Sequence, residues 1–185
     1  MTTNRRFARF NAGDTTGPLT THVVPEGGMC LSAFVVLTET GNPSHVLLGH
    51  LDTRANWDHI GGLDSERVAV HSKGWMIPSC HLVLKESPRD AARRILDEQL
   101  GLKDIALSEP RVVSEVYAPK RFLDLPSHWD LEFIFRGDLP RGELPRAAAW
   151  KELSFIDVTH MKKSDMARSH EDILESVGFR FADIA

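Results

Sequence analysis

The sequence predicts an α/β fold in which helices pack on a mixed β-sheet. Three observations carry this. Strand-like apolar runs stand both before and after a strongly capped helix, an amphipathic segment closes the chain, and the composition is that of an ordinary soluble protein. Of 185 residues, 42% are hydrophobic and 26% charged. A chain of this length fits one domain spanning 1–185 and buries roughly 70% of its unfolded surface without staples.

Residues 1–28 are polar and rich in Thr and Gly, which reads as an N-terminal extension, with Arg5, Arg6 and Arg9 as a solvated basic cluster. Residues 29–37 (MCLSAFVVL) are almost continuously apolar and β-branched, the pattern of a strand buried on both faces. Gly41-Asn42-Pro43 breaks that run, and 45–51 (HVLLGHL) is its hairpin partner. The stretch 52–73 is a long, polar, glycine-punctuated insertion, a length that goes with function or with short elements of its own. Trp57 and Trp75 flank it, suited to core packing or to stacking on a base. Short strands are expected at 75–77 and 81–84, around Pro78.

The segment 87–100 is the clearest helix. Ser87 is the N-cap, Pro88 takes the first helical position, Asp90 stands near the capping-box acid, and Gly101 stops it. Strands follow at 111–118, 129–135 and 153–157. A closing helix over 164–177 lines up Met166, His170, Ile173, Leu174 and Val177 on one face. Residues 159–185 are thus expected as the C-terminal helix of the chain.

A net charge of −4 argues against a general binder of nucleic acid or anionic membrane. No run has the apolar length of a bilayer span, and the N-terminus lacks the apolar centre of a signal peptide. The two cysteines, Cys30 and Cys80, have no CxxC spacing and read as reduced, buried thiols. A cytoplasmic protein is expected.

Residues 80–102, CHLVLKESPRDAARRILDEQLGL, carry a more specific signal. Glu86, Arg94, Leu96, Glu98, Gly101 and Leu102 stand at the spacing of the Nudix box, whereas Cys80 replaces a glycine, and Ile95 and Gln99 replace glutamates. The preceding WMIPSCHLVLKESP resembles that family's strand-Pro-Gly-Gly-His lead-in, and HWDLEFIF resembles its His-any-Asp strand. The chain thus resembles the Nudix hydrolase superfamily over about 29–158, with a degenerate box. The resemblance implies an α/β/α sandwich around a central mixed sheet. It also implies cleavage of a diphosphate in a nucleoside-diphosphate-linked small molecule, with Mg²⁺ or Mn²⁺ and water. By the same resemblance Glu98 is the principal metal ligand and catalytic acid. Gln99 and a backbone carbonyl near Cys80 assist, and Glu86 with Arg94 forms a structural ion pair. A homodimer is the assembly the resemblance allows.

On a regular α-helix, positions 95, 98 and 99 share a face. Three carboxylates there have become one, so the metal site is weakened, and Gln99→Glu is expected to strengthen it. Asp90 reads instead as an ion-pair partner of Arg93 and Arg94. In HWDLEFIFR, period-two alternation puts His128, Asp130, Glu132 and Arg136 on one strand face. Glu132, or else Asp130, is the candidate replacement acid, weighed against a solvated strand face. Arg54, Lys73 and Arg121 are candidate phosphate contacts. Two other functions stay open: a catalytically impaired ligand-binding or regulatory module, and a diphosphate isomerase in which Cys80 and Glu132 cooperate.

Overall fold

The structure is a computed structural model that describes residues 28–118, 126–140 and 147–182. The extension through residue 27, with Arg5, Arg6 and Arg9, and Arg121 lie outside the described residues.

The apolar run at the start of the core becomes β1 (Met29–Glu39), which turns at Gly41 (φ +86°) into β2 (Asn42–Leu51). Two short helices occupy the insertion, α1 (Trp57–Ile60) and α2 (Ser65–His71). Asp64 caps α2 by accepting from the Arg67 amide at 2.8 Å. After β3 (Ser79–His81) come α3 (Pro88–Arg94), β4 (Arg111–Tyr117), β5 (His128–Leu139), β6 (Trp150–Asp157) and α4 (His170–Ser176).

The strands form one mixed sheet in the order β4-β5-β1-β2-β6, with β3 also paired to β1. β1 and β5 run parallel in unbroken register from Met29↔Trp129 to Glu39↔Leu139, and the other strand pairs are antiparallel. β1 is central, which is why its sequence is apolar at successive positions. Its odd residues Ala33, Val35 and Leu37 pack with Ala91, Ala92, Ile95 and Leu96 from the α3 side. Its even residues Phe34 and Val36 pack with Ile134, Ile173 and Leu174 on the α4 side. The α/β/α layering expected from the sequence is present.

Trp57 is core. Its ring meets Trp150 edge-on at 4.9 Å, and its Nε1 donates to the Asp52 carbonyl at 3.1 Å. Trp75 packs on the His50 ring at 4.1 Å. Among the described residues, no helix is long and apolar enough to cross a membrane.

Three expected boundaries shift. The strand expected at 81–84 lies at 79–81, because Ser79, Cys80 and His81 are the residues that pair with Phe34, Ala33 and Ser32. The closing helix begins only at His170. Before it, Trp75 N–H donates to Asp165 O and Ala167 N–H to Trp75 O, both at 2.9 Å, so that segment serves as a β-like bridge. Arg168 and Ser169, both at φ 57°, then turn the chain into α4. The third shift, within 87–100, bears on function.

Candidate functional site

The box helix starts as its sequence dictates. Ser87 accepts from the Asp90 amide at 3.2 Å and its hydroxyl donates to the Asp90 carboxylate at 2.6 Å, with Pro88 behind it. Asp90 also pairs with Arg93 at 3.4 Å on the exposed side, whereas Arg94 turns to Glu86. From Ile95 to Gln99, however, the chain widens into a π-turn before closing at Gly101 (φ +64°). There Leu102 N–H reaches Leu96 O at 2.8 Å and Gly101 N–H reaches Asp97 O at 3.0 Å.

The widened turn alters which residues share a face. A wider turn brings i and i+4 into line and swings i+3 away. Ile95 and Gln99 are accordingly buried, at 0% and 1% exposure, while Asp97 and Glu98 are exposed. Ile95 belongs to the core between α3 and the sheet. The Gln99 amide Nε2 donates to the Ser79 carbonyl at 2.7 Å, and its Oε1 is buried without a hydrogen-bond partner among the described residues. The carbonyl that meets the box is thus that of Ser79, one residue before Cys80. Cys80 itself packs in the α3-side core.

Glu86 and Arg94 form a nearly buried bidentate pair, Nε–Oε1 and Nη2–Oε2 both at 2.7 Å. Arg94 Nη2 also donates to His81 O at 3.0 Å, and Glu86 Oε2 accepts from the Val83 amide at 2.9 Å. Burial opposes the guanidinium charge. The Glu86 hydrogen bonds, with the fields of Cys80, Glu86 and Glu98, outweigh it and raise the Arg94 pKa.

Asp130 and Glu132 are not on a solvated face. They are 8% and 7% exposed. The structure does not bring Glu132 together with Glu98, because Glu132 pairs in register with Ser32 and Val113 on the α4 side of the sheet. The same geometry separates Glu132 from Cys80, which lies on the α3 side, so the cysteine–glutamate pair of an isomerase is not assembled.

On the α4 side, Glu132 instead joins a polar group that the sequence pattern alone does not assemble. Parallel register sets Cys30 beside Asp130 and Ser32 beside Glu132, while β3 brings His81 opposite Ser32. Cys30 Sγ lies 3.1 Å and Ser32 Oγ 3.3 Å from His81 Nδ1. His128 Nε2 stands 3.2 Å from Asp130 Oδ1. Burial, then Asp130, push the Cys30 thiol up to about 12. The available sequence signal was the pair Cys30 and Ser32, the polar positions two apart in the otherwise apolar run 29–37.

Burial raises the Glu132 carboxyl to about 8, aided by the charges of Asp130, Glu115 and Asp172 and opposed by Arg168. Between its ordinary 4.5 and 8, the folded state holds more protons than the unfolded state, so this group makes stability fall as pH rises. Glu132→Gln should therefore flatten the pH dependence of the urea midpoint in chelator-treated protein, its gain over the parent growing across that window. A constant offset between the two proteins would contradict this.

His170 is buried, and its Nδ1 accepts the Ile77 amide at 2.9 Å. Burial, then Arg168, drive its pKa well down, which makes it a neutral clamp between α4 and the sheet. A cavity of about 250 Å³ lies at the insertion, lined by Asp52, Arg54, Ser72 and Lys151 among others. Arg54 is engaged there with Asp52 at 2.8 and 3.0 Å, so its charge is already paired.

No family model matches the sequence, and no curated protein matches it. Solved structures do match in fold. A MutT protein from Methanosarcina mazei Go1 superposes with a TM-score of 0.54 at 12% identity, over 80% of this chain and 92% of its own. The NUDIX domain of Shewanella oneidensis NrtR, complexed with ADP ribose, gives 0.53 at 15% identity, over 80% and 86%. A mutT/nudix family protein from Listeria innocua gives 0.51 at 21% identity, over 80% and 90%. The fold is that of the Nudix proteins.

Proposed function

We propose that this Nudix-fold chain binds a diphosphate-linked small molecule, such as a nucleotide derivative, without cleaving it through its box. The carrying observation is the 2.7 Å hydrogen bond from Gln99 Nε2 to the Ser79 carbonyl. An amide N–H occupies that carbonyl, where a cation would need an oxygen. Magnesium demands near-octahedral oxygen ligation. Here Ile95 belongs to the core, Gln99 brings no charge, and Glu98 alone remains as a carboxylate, on the exposed side. These residues do not fit a magnesium or manganese ion.

The ADP ribose held by a similarly folded domain supports a ligand of this class. A second reading, metal-dependent hydrolysis, is favoured by one feature: the Glu98 carboxylate is exposed and can meet a hydrated ion from solvent.

The two readings separate in one experiment. Purified chain is offered ADP-ribose, NAD-like compounds, nucleoside diphosphate sugars and dinucleoside polyphosphates with Mg²⁺ or Mn²⁺. Saturable binding of at least one, with no release of phosphate or monophosphate, is expected. Metal-dependent turnover that disappears in Glu98→Ala would establish the hydrolase instead.

A further inference from the structure

The geometry points to a metal site away from the box, on the α4 face of the sheet, where Cys30, His128 and Asp130 together take a borderline-soft divalent cation of the zinc class. One ligand atom from each, the thiol Sγ, an imidazole nitrogen and a carboxylate oxygen, falls within 4.8 Å of the others. The site is separate from the box, whose residues pack on the opposite face.

Two features distinguish this trio from an ordinary polar cluster. The first is an unsatisfied buried atom. Asp130 is 8% exposed, and its Oδ1 has no hydrogen-bond partner among the described residues, although His128 Nε2 is only 3.2 Å away. With His128 protonated this contact is an ion pair; with the ring neutral, the carboxylate oxygen and the ring nitrogen both present lone pairs to a third point. Their separation also matches the edge of roughly 3.3 Å between ligands about 2.0 Å from a tetrahedral centre.

The second feature is charge. Glu115 stands directly across the β4–β5 ladder from Asp130, a like-charge pairing that is unfavourable unless compensated. Asp130 also acts on the buried Cys30 thiol, and Arg168 is the cation set against Asp130 there. The facing carboxylates of Asp130 and Glu115 are what a divalent ion would offset.

The donor set selects the ion. Thiolate and imidazole suit zinc, cobalt or nickel, whereas magnesium prefers oxygen alone. Binding must displace the thiol proton: the Cys30 S–H bond breaks, an S–metal bond forms, and one proton leaves to solvent for each ion bound. Three protein ligands leave a coordination position for water or a ligand oxygen.

The full chain, stripped of metal with chelator, would be titrated with Co²⁺ as an optical probe. One Co²⁺ per chain should bind with a thiolate-to-cobalt charge-transfer absorption, displaced by Zn²⁺ and not by excess Mg²⁺. Cys30→Ser should abolish the absorption, and Cys80→Ser should keep it. His128→Ala, at a side chain only partly buried, should weaken Co²⁺ binding more than roughly 100-fold, beyond what an outer-shell residue contributes. Circular dichroism would confirm that each variant folds, and should Cys30→Ser not fold, His128→Ala decides. Absence of the absorption in the parent chain, its survival in Cys30→Ser, or unchanged affinity in His128→Ala would each overturn the site. ADP-ribose binding, measured separately, stands or falls independently of this metal site.

Discussion

Gln99→Glu is expected to lower the unfolding free energy by about 3 kcal/mol at neutral pH, with Mg²⁺ unable to restore it. The replacement sets a carboxylate oxygen where Nε2 now donates to the Ser79 carbonyl. Leaving that carbonyl unsatisfied costs about 1–3 kcal/mol. Ionising a carboxyl at a position only 1% exposed adds about 1.4 kcal/mol for each pH unit between its unfolded and its raised folded pKa. The folded variant keeps its proton longer than the unfolded one, so the penalty grows as pH rises above the ordinary glutamate range and vanishes below it. In acid the protonated carboxyl can donate to Ser79 in place of the amide, and the variant should approach the parent. Urea unfolding at acid and neutral pH, with and without millimolar Mg²⁺, reads all of this. Full recovery with Mg²⁺ would mean that the box still closes on a cation, and the ligand-binding reading would fall.

The same residue shows where sequence reasoning stops. The start of α3 is legible because Ser87, Pro88 and Asp90 act on backbone groups within one turn. The widening at Ile95–Gln99 is not, because it depends on partners distant in sequence: the apolar layer that takes Ile95 and the Ser79 carbonyl that takes Gln99. A regular helix would have kept Glu98 on the face of Ile95, and the expectation that Gln99→Glu strengthens metal binding rests on that geometry.

The strands divide in the same way. Alternation in HWDLEFIFR correctly groups His128, Asp130 and Glu132, since period two is intrinsic to a strand. Which face of the sheet they join is set by parallel pairing of β5 with β1, a contact between segments about a hundred residues apart. Cys30 enters the group only through that pairing. The closing helix is drawn too long from sequence because amphipathic spacing continues through Met166, while the backbone there is already committed to Trp75.

Arg94→Met is expected to carry the largest cost of these single changes, about 3–5 kcal/mol, a melting point lower by roughly 10 °C. The size follows from what is left behind. Glu86, its side chain 13% exposed, would keep a carboxylate with its bidentate partner gone. The His81 carbonyl would lose this donor as well, leaving the Gln99 bond to Ser79 as a remaining tie between the box helix and β3. Removing both charges together, in Glu86→Leu with Arg94→Met, should cost less than the two single variants summed, because neither ion is then buried alone. A double-mutant cycle from urea midpoints should show coupling near the upper end of the usual 0.5–3 kcal/mol for neighbouring residues. Additive costs would mean that Arg94 acts mainly through packing and its carbonyl contacts. Coupling of the expected size, with ADP-ribose affinity of the folded fraction unchanged in both single variants, would assign the pair to holding the loop against the helix and not to the ligand.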